Sequence, residues 1–223
     1  MPAIEAELQA LKENLNDMLS MVKNQLEKCI QAIEQKDPSI AKKIIDEEKK
    51  VNIQELAIDR DCENILALHT PVATDLRLVI ATLKISNDLE RIGDTAKSLA
   101  KIVNTDLSKS ESQWIADLNI VAMLEVLVSM LKEMGNSLRK EDPKSAVKAV
   151  KKDREVNDYF KKSIKTTATL IEKNPGDAKK ILKLLLLVRG LERAGDLTKN
   201  IAEEIVFQIE ARVVKHKKQS GAR

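Results

Sequence analysis

Apolar residues recur along this chain in long stripes, broken at short proline-marked stops. Over residues 3 to about 35, Leu8, Leu11, Leu15, Met18, Val22, Leu26 and Ile30 return at three-and-four spacing. That period marks one buried face of a helix. Asp37-Pro38 follows, and it predicts a second helix over 38 to about 68, because Asp caps and Pro suits the first helical position. Thr70-Pro71 repeats the signal and predicts a third helix to about 104, with Leu76, Val79, Ile80 and Leu83 on its stripe. Residues 105–112 are polar and serine-rich and read as a linker. Trp114, Leu118, Val121, Leu124, Leu127, Leu131 and Met134 predict a fourth helix. Asp142-Pro143 opens a fifth. Asn174-Pro175-Gly176 closes it and opens a sixth, to about 215, striped by Ile181, Leu184, Leu185 and Val188. The basic tail 215–223 reads as a frayed, solvated end.

The two halves repeat each other. Asp37-Pro38 returns 105 positions on as Asp142-Pro143, and Val51-Asn52 as Val156-Asn157. Leu89-Glu90-Arg91-Ile92-Gly93-Asp94 returns 102 positions on as Leu191-Glu192-Arg193-Ala194-Gly195-Asp196. An offset that changes by only three means one short deletion between copies. Three long helices with short connections make an up-down-up bundle. The expected fold is therefore all-α, with two tandem, pseudo-symmetric antiparallel three-helix bundles over residues 1–106 and 107–223.

The repeated stretch carries acids at i and i+4, so Glu90 stands beside Asp94 and Glu192 beside Asp196 on one helix face. Both pairs extend the apolar stripes upstream of them. Buried carboxylates must be paired, hydrogen-bonded, protonated or metal-bound. The second helix of the first half has its own acid line, Glu48, Asn52, Glu55 and Asp59. Its counterpart reads Asp153, Asn157, Phe160 and Ile164. If the two lines face each other, each half holds a carboxylate cluster, and the second is the poorer. Arg91 and Arg193 lie about 100° round the helix from the adjacent glutamates and are poor partners for them.

Composition narrows the function. The chain has 223 residues, 33% charged and 43% hydrophobic, with only 2% aromatic and a net charge of +3. That suits long helices and gives no basis for nucleic-acid binding. Cys29 and Cys62 form no CxxC and read as small buried hydrophobes. His69 sits at a corner between helices and reads as structural; Asp75 and Asp177 read as first-turn helix acids. No signal peptide is visible, and the longest apolar run, 184–188, is far too short for a membrane span. The expected location is the cytoplasm, without membrane insertion.

In this order, Val51-Asn52 with Glu55 and Asp59, the 71–77 stretch with Asp75 and Arg77, and the 89–94 motif resemble the PhoU family, regulators of phosphate uptake in bacteria and archaea. The likeness covers nearly the whole chain. It implies a regulatory protein, not an enzyme. Such a protein acts with the ATPase subunit of the phosphate ABC transporter and with a phosphate-sensing histidine kinase, and represses the phosphate-starvation response. It also implies a homodimer, and metal ions or multinuclear clusters at the ExxxD motifs. Carried over, the ligands are Glu90, Asp94, Glu192 and Asp196, with Glu48, Glu55, Asp59 and Asp153 as partners. Iron is favoured, with zinc, manganese, magnesium and calcium as alternatives.

The residues alone weigh a metal site and an ion-paired polar seam about evenly; the resemblance tips the balance to metal. A metal-free helical scaffold leaves the acids on the core line unexplained. A di-metal oxidase needs Glu-x-x-His, and Ile58, Gly93 and Gly195 stand three after Glu55, Glu90 and Glu192. No Gly-rich anion nest is visible, so the sequence offers no phosphate-binding loop. Gly93 and Gly195 allow either close helix packing or room beside a metal.

Overall fold

The structure is a computed structural model that describes residues 2–104 and 109–211, with side chains from 4–104 and 111–211. These residues form α1 (Pro2–Gln35), α2 (Pro38–His69), α3 (Ala73–Val103), α4 (Lys109–Asp117), α5 (Ile120–Lys140), α6 (Pro143–Lys173) and α7 (Ala178–Glu210), with a 3-10 turn at Pro175–Asp177. No strand occurs among the described residues. The two Asp-Pro starts fold alike. Asp37 and Asp142 are both extended, and their carboxylates accept from the backbone N–H of Ser39 at 2.8 Å and of Lys144 at 3.0 Å. Each cap satisfies an N–H that the first helical turn would otherwise leave unpaired.

Four boundaries differ from the sequence reading. Thr70 ends α2 in the left-handed region (φ 46°), and α3 begins at Ala73 behind an extended Val72 with no side-chain cap. The fourth helix is two, bent by 54° across Leu118 and Asn119. Asn119 takes φ 57°, which Asn tolerates better than most residues. Trp114 and Leu118 before Asn119 and Leu124 after it are all buried, so the apolar period ran through the bend unbroken. The expected linker at 105–112 already contains the start of α4 at Lys109; residues 105–108 lie outside the described residues. The last helix stops at Glu210 behind a left-handed Ala211, and the tail with His216 lies outside the described residues.

α1, α2 and α3 form one bundle and α5, α6 and α7 the other. The bundles are fused side by side: α1 packs on α5, and α3 on α7, with α2 and α6 outside. Each inner helix thus meets its counterpart from the other repeat, as a pseudo-two-fold relation demands. Leu11, Leu89, Leu127 and Leu191, one from each inner helix, are completely buried in one continuous core. Lys12–Glu141 (2.7 Å) and Lys84–Glu204 (3.2 Å) tie the repeats at the edges.

The cysteines behave as small core residues: burial pushes both thiols up to about 12. His69 joins α2 to α1 through Glu7, with Nε2 3.0 Å from Oε1. Asp177 pairs with Lys180 at 3.4 Å, as a first-turn acid does. No single described helix is long and apolar enough to cross a membrane. The bent pair of α4 and α5 is long and apolar enough only when taken together, and Met123, Leu127 and Met134 on it are fully buried in the core.

Candidate metal centre

α2 turns Ala41, Ile44, Glu48, Val51 and Ile58 inward, so Glu48 occupies a core position and is only 2% exposed. On α3 the buried stripe is Val79, Thr82, Ile85, Leu89, Ile92 and Ala96. Ile80, expected on that stripe, is 38% exposed. The motif acids therefore flank the stripe and do not extend it. Glu90 is half-buried and Asp94 is exposed, because a step of about 100° carries Glu90 off the line held by Leu89. Among the described residues the buried acids are Glu48, Asp153 and Glu204, of which Glu48 and Asp153 lie on the second helix of a repeat and face the motif.

Glu48, Glu90 and Asp94 converge. One carboxylate oxygen from each lies within 4.8 Å of the other two. Lys97 stands among them, with Nζ 2.7 Å from Glu48 Oε2 and 3.6 Å from Asp94 Oδ1. Glu48 Oε1 has no protein hydrogen-bond partner, nor has Asn52 Oδ1 or either amide atom of the buried Gln25. A buried polar atom left unpaired is costly and points to a missing water or ion. The donor set is oxygen only and strongly anionic, which fits a hard or borderline cation.

Glu55 extends the cluster along α2. Asn87 Nδ2 donates to its Oε1 at 3.5 Å, and its charge reaches Glu90. Asp59 lies a turn further on, where its charged neighbour is Glu63, and it does not join the triad. The second repeat brings Asp153, Glu192 and Asp196 within electrostatic reach, but no second group of three converges among the described residues. Asp153 is one methylene shorter than Glu48. Asn157 donates to its Oδ2 at 3.0 Å, and its Oδ1 has no partner. Phe160 is half-buried and Ile164 is 50% exposed where acids stand in the first repeat.

The glycines of the motif serve packing. A Cβ on Gly93 would lie 3.2 Å from Gln25 Oε1, and one on Gly195 would lie 3.1 Å from Asp153 Oδ1 and 3.2 Å from Val156 Cγ1. In the second repeat the same glycine lies beside the unpartnered Asp153 carboxylate oxygen.

Lys97 was not legible as part of the site, although a signal existed. A lysine stands three positions after the aspartate in both motifs, Lys97 after Asp94 and Lys199 after Asp196.

Burial, and after it the crowding of like charge, shifts acids of both repeats upward. Burial first, then Asp94, Glu55 and Glu48, holds Glu90 above the usual glutamate range. Burial and Asp59 raise Glu55, and burial and Glu63 raise Asp59. Burial and Asp196 raise both Asp153 and Glu192. Glu48 goes the other way: burial pushes it up, but the Lys97 hydrogen bond and charge outweigh that and leave it lowered. A raised acid binds more protons folded than unfolded, so its contribution falls as pH rises through and above its unfolded value, near 3.8 for Asp and 4.5 for Glu. Metal-free protein is expected to lose stability from about those values upward in urea titrations. Glu90→Gln with Glu192→Gln should flatten that fall. An unchanged slope in the double variant would show that these acids are not the cause.

The PhoU domain family matches this chain twice, over residues 15–103 and 120–205. The PhoU phosphate-specific transport system accessory protein of Escherichia coli K12 is 32% identical over 215 residues, covering 95% of this chain and 87% of that protein. The Edwardsiella tarda protein of the same name is 28% identical over 211 residues, covering 95% and 86%. The crystal structure of PhoU from Pseudomonas aeruginosa superposes with a TM-score of 0.81 at 26% identity, over 93% of this chain and 99% of that one. The phosphate transport system regulatory protein PhoU from Streptococcus pneumoniae gives 0.78 at 25% identity, over 96% and 100%. With the twofold domain match, the all-helical repeat and these relatives in agreement, the chain belongs to the PhoU family.

Proposed function

We propose that this chain is a non-catalytic accessory protein of phosphate transport that binds a cation in its first repeat. The relatives' names support the transport role. The observation that carries the cation is the convergence of Glu48, Glu90 and Asp94 around a partner-free Glu48 oxygen. Glu48 would hold the ion from α2 and Glu90 and Asp94 from α3, with Glu55 beside them. A bound cation supplies positive charge, which removes the mutual repulsion of the acids. Lys97 supplies part of that charge itself and would share Glu48 with the ion. Iron remains the favoured metal on the family resemblance, bound singly or as a cluster. Asp153, Glu192 and Asp196 form the weaker second site.

The partners proposed are the transporter's ATPase subunit and the phosphate-sensing histidine kinase, in the cytoplasm, with the chain acting as a homodimer of two-repeat units divided at 106/107. An apolar docking face supports such contacts: Ile53 and Leu56, three apart on α2, are 66% and 64% exposed.

Metal analysis of protein purified without chelator tests the site. Glu90→Ala with Asp94→Ala should remove most of the bound metal, and Glu192→Ala with Asp196→Ala distinctly less. Equal metal in the wild type and both variants would leave the acids as an ion-paired seam. Recovery of neither partner in a pull-down from phosphate-replete cells would remove the transport reading.

A further inference from the structure

The seam between the repeats holds a cleft of about 460 Å³ where α3 crosses α7. Its volume falls within the range of small-molecule sites. Arg91 lines it from α3 and Arg193 from α7, the same position of the motif in each repeat. Lys183 adds a third cation and Ser98 a hydroxyl. Arg91 has a long 3.6 Å pairing to Asp88, and neither Arg193 nor Lys183 has an ion-pair partner within 4.0 Å among the described residues. The one acid on the lining is Asp94. Leu186 and Leu187 supply an aliphatic wall, and Leu186 is 67% exposed there.

Gly190 explains why the cleft is open. It sits inside α7, where Gly is about 1 kcal/mol worse than Ala. Packing does not require it: a Cβ there would meet only Thr95 Cγ2, at an ordinary 3.5 Å. Gly93 and Gly195 are needed for close helix contact, but Gly190 only keeps a side chain out of the cleft.

We propose that this cleft is an anion site that takes a phosphate group, clamped between Arg91 and Arg193. Three cations against one carboxylate match a dianion, and guanidinium forks suit phosphate oxygens. Asp94 favours inorganic phosphate over sulfate, because the hydrogen phosphate dianion keeps a proton near neutrality that a carboxylate can accept and sulfate has none. Each repeat supplies one arginine, so neither half builds the site alone. The site needs no glycine-rich loop, so no loop motif marks it in the chain.

The test is calorimetric titration of the whole chain, stripped of metal and dialysed, with inorganic phosphate, AMP and sulfate. This setting depends on neither the metal nor the transporter reading. Inorganic phosphate or AMP should bind, and whichever is tighter tells whether the group arrives free or on an organic molecule. Arg91→Gln and Arg193→Gln should each weaken binding about tenfold or more. Gly190→Leu, which fills the cleft and leaves every charge in place, should abolish it. Melting curves confirm that each variant is folded. No binding of either phosphate compound at millimolar concentration, or binding untouched by all three variants, would overturn the site. Sulfate binding as tightly as phosphate would overturn the phosphate assignment.

Discussion

Lys97→Met should remove about 3 kcal/mol from metal-free protein, and a divalent cation should restore most of it. Glu48 is the reason. Its side chain is 3% exposed, and the Lys97 ammonium at 2.7 Å is its one ion-pair partner among the described residues. Removing one member of a buried pair leaves an uncompensated charge, which costs about 3–5 kcal/mol. Lys97 is 27% exposed on its side chain, so water softens the loss and the lower end is expected. Methionine keeps the length and apolar stem, which separates the charge from packing. The same deletion at Lys199 should cost much less, because Lys199 has no ion pair within 4.0 Å among the described residues. A cation at 100 times its dissociation constant adds about 2.7 kcal/mol by mass action. Urea unfolding of both variants, with chelator and then with manganese, gives the comparison. Lys97→Met matching the wild type in chelator, with no gain from manganese, would rule out this account of Glu48.

The sequence exposed the parts of the structure that rest on local rules. The Asp-Pro starts at 37 and 142 were readable because a cap and a fixed proline φ act within one turn. The repeat was readable because it needs no geometry. The bend at Asn119 was hidden because Trp114 and Leu118 before it and Leu124 after it keep the helical period. The site was half legible. Glu90 and Asp94 announce themselves by spacing, but their depth was overestimated: the stripe beneath them drifts, and Asp94 ends exposed. Glu48 and Lys97 meet only because α2 packs on α3, a contact 49 positions apart in the chain. Asp59 shows the converse, since a shared face on α2 did not bring it to the triad. The Arg91–Arg193 cleft depends on α3 meeting α7 across the repeats, which no pattern inside one helix can reveal.

Leu89→Ala should destabilise both repeats together. Leu89 sits in the first motif and is completely buried in a core that runs without a break from α1 and α3 to α5 and α7. Truncating a leucine in such a core costs about 2–5 kcal/mol, from lost transfer energy and the cavity left behind. For a chain of this size each kcal/mol moves the melting temperature by about 2–4 °C, so a fall of roughly 4–20 °C is expected. Trp114, the sole tryptophan, lies in α4 on the second-repeat side and is 4% exposed. Its fluorescence therefore reports the repeat that was not mutated, and far-ultraviolet circular dichroism reports all helices. If the repeats share one cooperative core, the two probes coincide before and after the substitution, and both midpoints fall equally. Leu186→Ala, at a site 67% exposed, should move neither by more than about 0.5 kcal/mol. A Trp114 midpoint that stays in place while circular dichroism splits into two phases would mean that the repeats fold independently, and that the α1–α5 and α3–α7 seams are weaker than their burial implies.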